Sequence, residues 1–418
     1  MKRYIGVTAR GIRGPIIKQG DDLAKIVVDS LLLATESEGI ALHDKDVIAI
    51  TESVVARSQG NYASTEDLAQ SVLGLGPKGL KEIVVVNPIF SRNRFSHLLE
   101  GIAKTKVEKI TVIFNLPYDE VGNHLISDED YFDFQCNLTP GCNLMTLAEF
   151  RKYFPEGKTT HQFTGVDYLE YYKEIIEKQG PKANILIAPM ANPMRTAIVY
   201  TQENKLAKDE TLYLCADIHT RNISKKTLLK YLGEDIAVIC LTDIMKAPVG
   251  NSGYNPKYGV LGTNISRDGE VKLFPREDQK LLADIAEAMY QKTGKHLEVM
   301  VYGDGAFKDP VGHIWELADP VVSPFHTPGL DGTPNELKLK YLADNDFDEL
   351  KGEAAAEAIR QRIVHKDANL VGKMESQGTT PRQITDLLGS LCDLTSGSGD
   401  KGTPFILIQG YFDNFATE

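Results

Sequence analysis

Residues 212–222 read LYLCADIHTRN and residues 236–248 read IAVICLTDIMKAP; a Gly-, Asn- and Pro-rich loop then ends in YGVLGTN at 258–264. The runs 212–216 and 236–241 are short, apolar, uncharged and bounded by polar residues, the pattern of buried strands. Each runs into one aspartate, Asp217 and Asp243. Side chains at the carboxyl ends of neighbouring strands can converge, and two converging carboxylates repel unless a cation lies between them. Oxygen donors without His or Cys suit Mg²⁺ or Mn²⁺. Either aspartate taken singly is better explained as a turn or helix-cap residue. As a pair they make the metal reading equal to the capping one.

Around this stretch, strands and helices alternate. Residues 4–9 (YIGVTA), 46–50 (DVIAI), 81–87 (KEIVVVN), 109–115 (KITVIFN), the ANILIAP run, 296–302 (HLEVMVY) and 405–409 (FILIQ) read as strands. Helices are expected over 23–38, capped by Asp21 or Asp22, in 91–104, over 278–294 with Gly294 at the stop, around 353–364, and over 381–391. The expected fold is mixed α/β, a mixed sheet with flanking helices in a composite two-domain body with inserted segments. From 116 to 182 the pattern degrades into an acidic, aromatic stretch read as an inserted flap. A second irregular block runs over 307–380. The core is then expected in three pieces, 1–115, 183–306 and 381–418.

With 418 residues the chain is long for a single ordinary domain. A net charge of −12 disfavours a nucleic-acid binder but allows a local cationic pocket for one nucleotide. Five cysteines, an odd number without CxxC spacing, argue for reduced thiols over a disulfide frame or zinc site. The polar amino terminus lacks a signal-peptide core, and no apolar run has the length of a membrane helix, so a cytoplasmic protein without membrane association is expected.

Two Gly-rich loops, GIRGPIIKQG (11–20) and TSGSGDKGTP (395–404), offer backbone N–H groups to phosphates, the first close to a helix start. Neither has P-loop or Rossmann spacing, and each alone is more often a turn. Arg57 is expected on a polar turn directly after a strand, where it is solvated or faces a phosphate. His219, Arg221 and Asn222 follow Asp217; His219 is assigned no proton-transfer role. Asp304, in GDG, and Asp400 are further carboxylate candidates. No GxSxG elbow or Cys/His pair signals a protein nucleophile.

GPIIKQGDDLAKIV (14–27) and VIAITESVVARSQG (47–60) together resemble the amino-terminal signature of the coenzyme F420-0:L-glutamate ligases. VICLTDIMKAP (238–248) with YGVLGTNIS (258–266) is similar to that family's strand–Asp segment and its Gly-rich continuation. DLLGSLCDLTSGSGDKGTPFILIQG (386–410) is similar to its carboxyl-terminal loop and strand. The resemblance covers about half the chain and fits the longer bacterial members. It implies a nucleotide-dependent γ-glutamyl ligase. Such an enzyme uses GTP (or ATP) and Mg²⁺ or Mn²⁺ to join L-glutamate to a small-molecule carboxylate through an acyl phosphate, as a homodimer. The alternative is a non-catalytic nucleotide-binding protein on the same scaffold. Carried over, Pro15, Ile16 and Ile17 lie against the nucleotide, mostly through backbone, and Arg57 replaces a family lysine. Asn222 contacts the nucleotide. Gly397, Ser398 and Gly399 cradle phosphate, and Asp217, Asp243 and Asp400 hold metal. Ile244 stands where the family commonly has a metal-binding threonine, and Ser398 where it has a glutamate.

Overall fold

The computed structural model describes residues 4–417 except 93, 117, 120–122, 139–143, 163, 190–191, 217–220, 248–254, 261–262, 268, 305–320, 378–381 and 397–399. In chain order its strands are β1 (Thr8–Ile12), β2 (Val47–Thr51), β3 (Tyr62–Ser64), β4 (Glu82–Val86), β5 (Lys109–Asn115), β6 (Met145–Thr146) and β7 (Lys182–Ala188). There follow β8 (Thr211–Cys215), β9 (Ala237–Cys240), β10 (Asn264–Arg267), β11 (Glu270–Lys272), β12 (Glu298–Asp304), β13 (Val321–Val322) and β14 (Phe405–Gln409). The chain divides into two compact units, one built from Met1–Ser58, Glu277–Asp304 and Asp309–Glu418, the other from Gln59–Arg276. The mixed α/β expectation holds.

The first unit carries a five-stranded mixed sheet in the order β1-β14-β2-β12-β13. β2 and β12 run parallel, and β14 runs antiparallel to both β1 and β2. Alternation along β2 sends Ile48 and Ile50 to one face and Val47 and Ala49 to the other. The first face is covered by helices Leu23–Glu38 and Gln279–Thr293 through Val27, Leu31, Ile285 and Met289; the second by helix Ile384–Ser396 through Leu388 and Cys392. Each fully buried aliphatic side chain contributes about 1.5–3 kcal/mol. The long helices stop where the sequence says they should: Asp22 and Asp278 cap their starts, and Gly39 and Gly294 end them in left-handed backbone.

The second unit is a six-stranded sheet, β6-β7-β5-β4-β8-β9, in which all pairings but that of β6 are parallel. β4 and β8 are buried at every position, as expected of a parallel sheet covered on both sides. Helices Pro193–Asn204 and Arg221–Leu232 cover one side, through Met194, Ala197, Tyr200 and Leu228. Helix Tyr168–Gln179 covers the other with rings: Tyr172 meets Phe95 and Phe114, and Tyr168 meets Phe90. The order reverses at β4, where the chain first builds outward through β5 and β7 and then returns to add β8 and β9. In open α/β sheets, ligands bind outside the carboxyl ends of the strands at such a switch point. A separate antiparallel trio, β10-β11-β3, completes this unit.

Several sequence expectations move. The first strand begins at Thr8 and runs on to Ile12, because its partners on β14 are Phe405–Gln409. Residues 52–59, expected as a turn, form a helix with Val55 and Ala56 buried. After the ANILIAP strand, where no helix was expected, residues Pro193–Asn204 form one, started by an Asn192 cap and a first-turn proline. The 116–182 block, read as an inserted flap without clear strand register, contributes helix Tyr168–Gln179 and strand β6.

Candidate functional site

In the second unit, β8 and β9 are direct parallel neighbours with Cys215 opposite Cys240, so the two aspartate-bearing segments leave the sheet side by side at its carboxyl edge. Asp217 lies outside the described residues. Asp243 lies on the turn after β9, its side chain about one-quarter exposed. It is tied to Cys240 twice. The Cys240 N–H donates to Asp243 Oδ2 at 2.9 Å, and the Asp243 N–H donates to the Cys240 carbonyl at 2.9 Å. Lys225 Nζ, from helix Arg221–Leu232, donates to Oδ2 at 3.2 Å, and Lys246 Nζ stands 3.6 Å from Oδ1. Burial pushes this carboxyl up, but the Cys240 N–H and the Lys225 and Lys246 ammoniums outweigh it and leave the group below its ordinary value. Asp243 is therefore an ionised carboxylate on a fixed turn. The turn role weighed for it is what the structure shows, with no helix among the described residues for it to cap, and its second oxygen faces Lys246, a lysine on a flexible stem.

That turn is locked by the first glycine of YGVLGTN. Gly259 has φ +55°, and a Cβ there would come within 2.5 Å of the Ile244 carbonyl, 2.7 Å of Thr242's and 2.9 Å of Leu241's. Only glycine lets the loop press against three carbonyls of the aspartate turn. The two sequence segments thus form one structural object. Ile244 is 1% exposed and packs inward, so the position after Asp243 offers no oxygen donor.

In the first unit, three of the expected segments meet at one end of the sheet. The Gly14 N–H donates to the Gly402 carbonyl at 3.1 Å, joining the two Gly-rich loops. The Gly20 N–H donates to Ser58 at 2.9 Å, beside Arg57, and the Thr51 N–H donates to Pro404 at 3.0 Å. Pro15 and Ile16 are exposed, Ile16 at 81%, whereas Ile17 turns into the core at 3%. Arg57 is exposed in the last turn of its helix, and Asp400 is exposed on a turn. Asn222 falls in the first turn of helix Arg221–Leu232. Gly397, Ser398 and Gly399, with His219, lie outside the described residues.

The structure adds residues that the sequence reading passed over. Lys225 and Lys246 flank Asp243; a basic residue every few positions after a strand-end aspartate was the available signal. Glu52 is buried at the end of β2, and a Cβ on Gly303 would overlap its side chain at 2.0 Å. The glycine of GDG thus makes room for a buried carboxylate and belongs to β12, with Asp304 next to it at the strand end. Among the described residues no three His, Cys, Asp or Glu side chains gather into a metal-binding group. The donor chemistry of Asp243, an ionised carboxylate, still fits a hard divalent cation.

The family model described as F420-0:Gamma-glutamyl ligase matches residues 11–410. The chain belongs to this family. Along 68 residues it is also 32% identical to the coenzyme F420:L-glutamate ligase of Methanothermobacter thermautotrophicus, covering 16% of this chain and 25% of that protein. The F420-0:γ-glutamyl ligase match runs through both units and through both irregular blocks. No helix among the described residues is long and apolar enough to cross a membrane.

Proposed function

We propose that this family member is a nucleotide-dependent γ-glutamyl ligase that forms an amide between L-glutamate and a carboxylate acceptor. The observation that carries the reading is the pairing of β8 with β9 beside the switch point of a parallel sheet, with Asp243 held ionised at that edge. The family match supports the same reaction class.

A carboxylate acylates an amine only after activation. The γ-phosphoryl group of GTP or ATP passes to the acceptor carboxylate; the glutamate α-amino group then attacks, the amide bond forms and phosphate leaves. Such transfer depends on positioning and charge neutralisation. Mg²⁺ or Mn²⁺, when bound, neutralises phosphate charge. Within the second unit, Asp217 and Asp243 would hold that ion. In the first unit, Pro15, Ile16 and Ile17 and the 397–399 loop would lie against a nucleotide, mostly through main-chain groups, with Arg57 attracting phosphate and Asp400 a metal ion; in the second unit, Asn222 would contact nucleotide. Lys225 would leave Asp243 as the ion enters, since both seek the same oxygen. Residues 116–182 and 307–380 would elaborate the ligase core, and the protein would act as a cytoplasmic homodimer.

Phosphate release from GTP and from ATP, measured with L-glutamate, a library of carboxylates and Mn²⁺ or Mg²⁺, tests this. Turnover that needs both glutamate and an acceptor, and that stops with a chelator, is expected. Absence of turnover under every combination contradicts ligation. The burial of Ile244 in place of a hydroxyl donor favours the second reading, nucleotide binding without ligation. Tight nucleotide binding by calorimetry without metal dependence or turnover would select it.

A further inference from the structure

We propose that Cys215 and Cys240 form a redox-sensitive pair which closes to a disulfide under a hydroperoxide and thereby dislodges Asp243. The two residues are register partners on adjacent parallel strands, their side chains lie in one apolar cluster, and no disulfide joins them in the structure. Neighbouring strands lie about 4.8 Å apart. This falls within the roughly 4.4–6.8 Å between Cα atoms that a disulfide accepts. Closure is strained, because aligned side chains keep their Cβ atoms near the strand spacing while a disulfide draws them to about 3.8 Å. Strain makes a bridge easy to reduce, which suits a reversible switch better than a permanent staple.

The strain must be taken up where the backbone can give. β8 is paired on both sides, by β4 and β9, whereas β9 is the outer strand of the sheet and Cys240 is its last residue. Cys240 is therefore the one that moves. Its N–H and its carbonyl are the main-chain groups that tie Asp243 to the end of β9. The chemistry balances: one thiol takes the distal oxygen of ROOH as the O–O bond breaks, giving a sulfenic acid and ROH. The second sulfur then attacks the sulfenic sulfur, the S–S bond forms and water leaves. Both residues are buried, but hydrogen peroxide is little larger than water, and local opening of an edge strand admits it.

The effect on nucleotide binding rests on the function proposed above; the cross-link does not. The test uses the full chain carrying Cys136→Ser, to remove an exposed competing thiol, before and after hydrogen peroxide and after dithiothreitol. Non-reducing peptide mapping, hydrogen exchange over residues 240–246 and Mn²⁺–GTP calorimetry are the readouts. A 215–240 linked peptide, faster exchange of the turn and at least tenfold weaker binding are expected. All three should be reversed by reduction and absent in Cys215→Ala or Cys240→Ala. Either variant alone suffices as the control. Peroxide that yields no 215–240 link, or a link that leaves exchange of the turn unchanged, overturns the proposal. If the reduced protein does not bind Mn²⁺–GTP, the functional reading fails, while the link and the exchange still decide this one.

Discussion

At the scale of single residues, Asp243 carries the most chemistry for its position. Its carboxyl lies below its ordinary value, so the ionised form is what the folded chain stabilises. The sign follows from linkage. That stabilisation is complete above the unfolded-state pKa, about 3.9 for Asp, and disappears as pH falls through the lower folded value. Replacing Asp243 with Asn removes a charge-assisted bond to the Cys240 N–H and to Lys225. We expect a loss of about 1–3 kcal/mol in urea unfolding at pH 7. The difference from the parent chain should shrink once pH drops below about 4. A difference that grows on acidification would show that the carboxyl is not held ionised. Gly259 gives a second test. Gly259→Ala meets three carbonyls as well as an unfavourable φ, whereas Gly79→Ala, at φ +80° with open space around it, meets the φ penalty alone. The Gly79 change should cost about 1–2 kcal/mol. The Gly259 change should cost clearly more, read from the same denaturation curves; equal costs would mean that the loop is not pressed against the aspartate turn.

At the scale of elements, the parallel sheet of the second unit is pinned at its amino end by a buried polar network. Glu82 Oε1 accepts from Thr111 Oγ1 at 2.7 Å and from Tyr200 OH at 3.0 Å, while Lys109 Nζ lies 3.1 Å from Glu82 Oε2. Asn184 joins through Thr111 and Tyr200. The network ties β4, β5 and β7 to helix Pro193–Asn204, opposite the carboxyl edge that carries Asp243. Removing one member of a buried ion pair costs about 3–5 kcal/mol. Glu82→Ala should therefore lower stability by that order and leave nucleotide affinity of the folded protein unchanged. A parallel loss of affinity would mean that the two ends of the sheet are coupled. The strands themselves were readable, because β2, β4, β5, β8 and β14 are continuous apolar runs with polar ends. β3, β10 and β11 were not, since these strands of three or four residues mix polar and apolar positions and show neither an apolar run nor a period. The helix Tyr168–Gln179 was overlooked although its buried residues, Tyr168, Leu169, Tyr172 and Ile176, keep a helical spacing; the surrounding acidic and aromatic residues masked it. The Glu52–Gln59 helix lost out to its flanking turn residues, and only packing of Val55 and Ala56 settles it.

At the scale of the whole molecule, a net charge of −12 sets a repulsive background for an anionic nucleotide, so isolated cations matter. Arg57 is exposed, and Arg57→Ala should leave the fold unchanged while weakening nucleotide binding roughly two- to fivefold at low salt, from about 0.5–1 kcal/mol of surface attraction. The loss should fall as salt is raised, because the attraction is screened. A loss independent of salt would mark Arg57 as structural. The candidate site was legible in parts. The aspartate segments were singled out from their sequence, and the register of β8 and β9 makes those two strands neighbours in the second unit; in the first unit the two Gly-rich loops, read separately, are hydrogen-bonded to each other. That Lys225 and Lys246 both reach Asp243 was not legible, because it depends on which helix face lies beside the turn; Glu52 was not, because its burial depends on the missing side chain of Gly303. The most direct check is calorimetric titration of GTP with Mn²⁺ into the parent chain and into Asp243→Ala. The account predicts metal-dependent binding in the parent and its loss in a variant whose circular dichroism is unchanged; equal metal-dependent affinity in both would contradict it.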